Sequence, residues 1–342
     1  VEEAATLEIP FLRNALYRSV THGDEWVDTG APINSMTGYS PTEMYGATEH
    51  GFMYYKGEGI FEFYKETTLP DPGWGCCGIW KNAQGEICTL TKPSGVTGSI
   101  AVYRLTGEEG EYSFQKVEGS EIPQTSSIDK VWVSPSGKVY AIINSGRDLL
   151  SYDGSSWSGE NLPPAEGQTF INIYDIWGSG EDDIYVSGKY GIYHYDGSVW
   201  TLIKELELSG LGEMKIWGSA DDDMYFYYED IIEHYDGSQW SEIPSLGFDI
   251  FSLAKSASGE LYAICNGRLF RYQFGEWTLI YIPGSENDYL KSILSPIPGV
   301  ILVEGSYSLN LYYIGSVLTD IDYTPGPVGE VQEKPSVATA TI

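Results

Sequence analysis

The sequence predicts an all-β protein: a β-propeller of four-stranded antiparallel blades, with seven blades favoured over eight. Three observations carry this. Of the 342 residues, 14% are aromatic, with 27 Tyr and 10 Trp beside 40 Gly. Aromatic side chains suit a pleated, half-buried surface and Gly suits tight turns. Next, a G-x-x-W turn recurs at Gly23/Trp26, Gly154/Trp157, Gly197/Trp200 and Gly237/Trp240, with degenerate copies at Gly57/Ile60, Phe274/Trp277 and Gly315/Leu318. A period near ~40 residues with several short apolar runs per repeat is a propeller signature. Third, one residue sits at a fixed offset before the main residue of each second strand. The pairs are Thr37/Tyr45, Trp80/Cys88, Trp132/Tyr140, Trp177/Tyr185, Trp217/Tyr225, Ala254/Tyr262 and Leu294/Leu302. That offset predicts seven a–b hairpins in constant register.

Taken in order, residues 1–32 form an N-terminal segment holding a spare hairpin, Ala15 to Asp28, that either extends a blade or helps close an eighth. Residues 33–323 are the propeller. Its clearest repeat runs from Ile171 to Trp200. There Ile173 to Trp177 is strand a, Ile184 to Ser187 strand b, Ile192 to Tyr195 strand c and Trp200 to Ile203 strand d. Each run is too short for a helix and is bounded by Gly, Asp or Ser. Asp196-Gly197 is a hairpin-turn pair between c and d. Residues 324–342 are a Pro-rich tail ending in β-prone Val337 to Ile342, which reads as a tether whose last strand docks on a neighbouring edge or subunit.

The charge excludes some partners. Forty-nine acids against 19 bases give a net charge of −30, so nucleic acid and anionic membrane surfaces are poor partners. No run of 18 apolar residues exists to insert in a membrane. The start Val1-Glu2-Glu3-Ala4 reads as processed or trimmed. Cys76, Cys77, Cys88 and Cys265 contain no C-x-x-C pair, which argues against a zinc or dithiol site. A cross-strand bond from Cys76 or Cys77 to Cys88 is conceivable on the a–b hairpin of blade 2.

The stretches Ile176 to Tyr185 with Tyr195 to Trp200, and Ile216 to Tyr225 with Tyr235 to Trp240, resemble the W-G-S-x-x-D-D-[IV]-Y…Y-D-G-x-x-W repeats of bacterial secreted and surface propeller proteins. The resemblance covers about three well-kept blades and four degraded ones. It implies the fold and an extracellular, cell-surface or periplasmic setting. Such propellers serve as binding platforms, lectins and enzymes alike, so it implies no single activity. WD-repeat, kelch and sialidase Asp-box signatures are not matched.

Four constellations are candidates for chemistry. The acidic a–b turns Glu181-Asp182-Asp183 and Asp221-Asp222-Asp223 fall on one face of neighbouring blades and offer oxygen ligands for Ca²⁺. The series Trp80, Trp132, Trp177 and Trp217 ends four consecutive inner strands and offers either sugar stacking or inter-blade packing. Blade 2 has long connections on both sides, Thr67 to Gly75 and Thr91 to Gly98, which place Trp74 as an apolar anchor and Lys92 as a cationic contact on one loop face. Finally, His194 and His234 share a strand position held elsewhere by varied polar residues, which reads as strand surface. No G-x-S-x-G, H-E-x-x-H or phosphate loop is present. The expected function is a secreted or cell-surface binding or structural module that takes a protein or polysaccharide, in an extracellular assembly. The alternatives are a polysaccharide-active glycosidase or lyase, and a calcium-dependent lectin.

Overall fold

The structure is a computed structural model. It describes residues 6–9, 16–19, 33–40, 43–48, 51–55, 60–65, 75–92, 100–107, 113–122, 127–167, 171–206, 214–256, 259–281, 289–294, 301–305, 311–314 and 338–341. Among these residues there are strands and turns and no helix.

Seven blade-like sheets follow in chain order, each an antiparallel meander. Blade 1 runs Ile33–Ser40, Glu43–Thr48, Gly51–Tyr55 and Ile60–Lys65; blade 2 runs Gly75–Lys81, Ile87–Lys92, Ala101–Thr106 and Ser113–Lys116. Blade 3 is Ile128–Val133, Val139–Ile143, Asp148–Tyr152 and Trp157–Gly159; blade 4 is Ile173–Gly178, Ile184–Gly188, Gly191–Tyr195 and Trp200–Glu205. Blade 5 is Lys215–Ala220, Asp223–Tyr228, Ile231–Tyr235 and Trp240–Ile243; blade 6 is Ile250–Lys255, Leu261–Cys265, Arg268–Gln273 and Glu276–Tyr281. Blade 7 shows Leu290–Leu294, Ile301–Gly305 and Leu311–Ile314, and its expected fourth strand near Leu318 lies outside the described residues.

All seven expected a–b pairs stand opposite one another across their hairpins, from Thr37↔Tyr45 in blade 1 to Leu294↔Leu302 in blade 7. Strand a carries a recurring irregularity that the offset does not reveal. In six blades a β-bulge skips one residue near its start: Asn34, Cys77, Asp129, Tyr174, Phe251 and Lys291. A bulge leaves its extra residue unpaired and re-aims it.

Strands b are buried along their whole length in Val139–Ile143, Ile184–Gly188 and Leu261–Cys265. Both faces of these central strands are covered, so their sequences are continuous apolar runs. Strand d of blade 4 alternates buried and exposed residues instead, as an outer strand must.

Two compact units divide the chain: Val1–Thr68 with Glu108–Glu111 and Phe248–Ile342, and Leu69–Gly107 with Tyr112–Gly247. In the second unit, apolar clusters join blade 2 to 3, 3 to 4 and 4 to 5. In the first, Ala254, Tyr262, Ile264, Leu269, Leu290, Ile293 and Val303 join blade 6 to 7.

The N-terminal segment extends blade 1. Leu16–Ser19 adds in parallel to the outer strand Ile60–Lys65, giving a five-stranded sheet. The terminal strand Ala338–Thr341 pairs antiparallel with Thr6–Ile9 of the same chain. One edge of that strand is therefore taken within the chain, the first of the two alternatives, a neighbouring edge or a subunit, that the sequence suggested.

Candidate binding site

The strongest sequence motif turns out to be scaffold. In blade 4, Asp196 Oδ1 accepts from the N–H groups of Ser198 and Val199 and from the Ser198 hydroxyl, at 2.9, 2.9 and 2.7 Å. These bonds hold its carboxyl at about 2, well under the usual aspartate value. Tyr195 OH donates to the Gly197 carbonyl at 2.9 Å, and its ring packs on Trp200. Trp200 Nε1 in turn donates to Glu160 after blade 3, at 3.0 Å. The Y-D-G-x-x-W string thus closes one hairpin and staples it to the preceding blade. Blade 5 repeats the turn with Asp236, also held at about 2 by the N–H of Gln239 and the bonds from Ser238.

The W-G pairs have a similar origin. A Cβ at Gly178 would stand 2.8 Å from the Trp132 ring, and one at Gly218 would stand 2.5 Å from the Trp177 ring. Each glycine is the socket for the preceding blade's tryptophan. Trp80 is 2% exposed inside the blade 2–3 cluster, and Trp217 packs on Tyr225. Trp80, Trp132 and Trp177 pack between blades, and sugar stacking by them would require those contacts to be given up, while Trp217 packs on Tyr225 of its own blade.

The acidic turns disperse rather than converge. Glu181 accepts from Ser134 of blade 3 at 3.1 Å. Asp182 packs against Gly197 and Asp222 against Gly237, where a Cβ would stand 2.8 and 3.0 Å from the aspartate Cβ. Asp183 takes the Ser179 hydroxyl and His194 Nε2, the latter at 2.8 Å. Asp223 takes Ser219, His234 Nε2 at 2.9 Å and Tyr225 OH at 3.0 Å. Asp221 is exposed. Among the described residues no group of three His, Cys, Asp or Glu side chains could hold a metal ion, so these turns do not form the Ca²⁺ cage their sequence suggested.

The histidines belong to a clasp that the sequence reading missed. In blade 6 the same four positions hold Ser256, Glu260, Tyr262 and Arg271, with Arg271 Nη1 on Glu260 at 3.2 Å. In blade 2 they hold Asn82, Glu86, Cys88 and Arg104, with Arg104 on Glu86 at 3.0 Å. A carboxylate at the start of strand b is thus held by the a–b turn and by a His or Arg on strand c. The signal was present in the sequence, but only as an acid two residues before the strand-b Tyr or Cys of blades 1, 2, 4, 5 and 6, with Lys138 in its place before Tyr140 of blade 3.

Another missed group is Asp175, on strand a of blade 4. It is 5% exposed and takes Lys130 Nζ of blade 3 at 2.9 Å and the N–H of Ile216 of blade 5 at 3.3 Å. It clasps three consecutive inner strands.

In blade 2, Cys88 stands opposite Trp80, while Cys76 stands opposite Thr91 and Cys77 is the bulged residue. Cys88 is a buried free thiol pushed up to about 12 by burial, so neither expected disulfide to it forms. The register explains this: Cys88 faces the third residue beyond Cys77. Cys265 is fully buried and its Sγ donates to the Phe248 carbonyl at 3.3 Å. Trp74 and the loop bodies 66–74 and 93–99 lie outside the described residues, and Lys92 is placed only as the end of strand b.

An open pocket lies on the loop side of blades 6 and 7. It encloses about 420 Å³ and is lined by Phe251, Asn266, Gly267, Tyr289, Leu290 and Lys291. Its construction follows from the fold. Asn266 and Gly267 have φ of 49° and 69° and make a two-residue b–c turn of the kind whose twist suits a hairpin. Gly267 accepts from the Leu290 N–H at 3.0 Å, and a Cβ on it would strike the Tyr289 Cβ at 2.8 Å. Phe251 and Lys291 are the bulged residues of two successive inner strands. Phe251 and Tyr289 are each 48% exposed. Among the described residues Lys291 has no carboxylate partner, although the chain carries 49 acids.

No protein-family model matches this sequence, and no curated protein does. Solved structures do. The extracellular domain of BT4673 from B. thetaiotaomicron aligns at 13% identity and TM-score 0.63, over 93% of this chain and 40% of its own length. Virginiamycin B lyase from Staphylococcus aureus aligns at 12% and 0.60, over 92% of this chain and 100% of that one. YCF48 bound to D1 peptide aligns at 14% and 0.59, over 95% and 98%. The fold is a β-propeller. This chain spans about 40% of the length of the first of these structures, and at such identities the propeller likeness is one of fold alone.

Proposed function

We propose that this propeller is a non-catalytic binding module that engages a protein partner through the blade 6–7 pocket, in a secreted or cell-surface setting. The observation that carries the reading is the contrast in how side chains are employed. Glu181, Asp183, Asp223 and Glu260 near the a–b turns, and the strand-c histidines His194 and His234, are engaged in clasps within or between blades. The pocket instead presents two half-exposed aromatic rings, Phe251 and Tyr289, beside Lys291, which has no carboxylate partner among the described residues. Pockets that bind are concave and largely apolar, with a few placed polar groups. Two neighbours of the same fold support the reading by analogy: one is an extracellular domain and one is peptide-bound. The blade 2 loops with Trp74 and Lys92 remain a second face on which the same function could be grafted.

Immobilised protein screened against peptide, protein and polysaccharide panels tests this. Tyr289→Ala and Phe251→Ala should each weaken a protein or peptide hit by about tenfold or more, the scale of a hot-spot side chain. Polysaccharide incubations should release no product. Binding untouched by both substitutions, or turnover of a polysaccharide, defeats the proposal and favours the enzyme alternative.

A further inference from the structure

Blade 6 displays an anomaly at the end opposite the pocket. Its c–d turn is Phe274-Gly275, and Phe274 is 95% exposed with φ of 54°. The left-handed region disfavours any residue with a Cβ, and bulky ones are outliers there. The strand register puts Phe274 where blades 3, 4 and 5 have Gly154, Gly197 and Gly237, at φ of 95°, 88° and 84°. Strain of this kind at a solvent-exposed tip is a pointer to function. Beside the tip stands Glu276, exposed and without a cationic partner among the described residues.

The pocket asks for an apolar group with an adjoining negative charge: aromatic walls in Phe251 and Tyr289, and Lys291 without a carboxylate partner among the described residues. The hairpin tip presents that combination in Phe274 and Glu276. We propose that the blade 6–7 pocket takes the Phe274 tip of a second copy of this chain, so that copies associate head to tail. This rests on reading the pocket as the binding site.

The geometry requires a second copy. The pocket includes the b–c turn and the knob is the c–d turn, at opposite ends of strand c, Arg268–Gln273. Six residues at ~3.3 Å each separate them by about 20 Å, so a tip cannot enter its own pocket. A contact between two different patches is heterologous, and it propagates unless the rotation happens to close a ring. One aromatic knob buries ~150–250 Å², below the ~1,200–2,000 Å² total of a stable interface. The association is therefore weak and concentration-dependent.

Sedimentation velocity over a concentration series tests this. The wild type should move from monomer to dimer and higher species. Phe274→Asn, which suits the turn and so folds, should be monomeric; so should Tyr289→Ala. Mixing these two variants should restore dimers and nothing larger, because one supplies the only pocket and the other the only knob. Glu276→Lys and Lys291→Glu should each weaken association by about tenfold, and the double variant should recover it. A monomeric wild type at its solubility limit overturns the proposal, as does association indifferent to Phe274→Asn or Tyr289→Ala. If the wild type is monomeric while Tyr289→Ala still abolishes capture of an unrelated protein, self-pairing falls and the binding reading stands. If pocket substitutions change neither, both fall.

Discussion

A phenylalanine held at φ 54° in a two-residue turn costs the fold ~1–2 kcal/mol relative to a residue at ease there. Asn tolerates the left-handed region and hydrogen-bonds locally. Phe274→Asn is therefore expected to raise stability by about 1 kcal/mol, read as a higher denaturant midpoint with unchanged slope. A lower midpoint would mean that Phe274 packs on its own blade. The opposite residue-scale case is Asp196, whose carboxyl is held at about 2 by backbone and Ser198 bonds. Its folded value is depressed, so its stabilisation is present above the ordinary 3.8 and is lost as pH falls towards about 2. Asp196→Ala should thus be less stable than wild type at neutral pH, and the gap should close as acid is added down to about 2. A gap independent of pH would place the role of Asp196 in packing rather than charge.

At the scale of the strand and blade, the W-G dipeptide makes a sharp prediction. A methyl on Gly218 would stand 2.5 Å from the Trp177 ring, in a socket formed by a neighbouring sheet. Overpacking of this kind costs ~1–3 kcal/mol. Gly218→Ala should lower stability by that amount, and Gly154→Ala, where no atom lies within 4 Å but φ is 95°, isolates the backbone cost for comparison. Equal losses would show that Trp177 yields freely. Much of this level was legible in sequence. The offset between Trp177 and Tyr185 fixed the hairpin register because a–b turns of equal length leave no room for slippage. What stayed hidden depends on backbone irregularity or on which way a side chain turns. Phe251 and Lys291 meet in one pocket because bulges re-aim them, and simple alternation assigns a bulged residue to neither face. Asp182 and Asp183 are adjacent in sequence, yet one packs on Gly197 and the other binds His194. Adjacency therefore suggested a cluster that the fold pulls apart. The Asp–His and Glu–Arg clasps were only half legible for the converse reason, since the recurring acid shows in sequence while its partner comes from a different strand.

For the molecule as a whole, net charge sets the terms. A charge of −30 repels itself within one chain and repels a second copy. Local ion pairs such as Lys116–Glu121 and Arg104–Glu86 are solvent-exposed, and exposed pairs add little to stability. Long-range repulsion among the surplus acids outweighs them. Salt screens that repulsion: the Debye length falls from ~30 Å at 0.01 M to ~8 Å at 0.15 M. Raising salt over that range should therefore raise the thermal midpoint, whereas a fold held chiefly by surface ion pairs would move the other way. Self-association follows the same argument with one refinement. The Glu276–Lys291 contact is short-range, so screening weakens it less than it relieves repulsion between two polyanions. Wild-type oligomers should accordingly grow from 0.01 to 0.15 M salt and be driven by the apolar knob. Glu276→Lys/Lys291→Glu, which leaves the net charge unchanged, should show the same salt response as wild type. Oligomers that dissolve as salt rises over this range would mean that the contact is ionic at its centre, and would remove Phe274 from it.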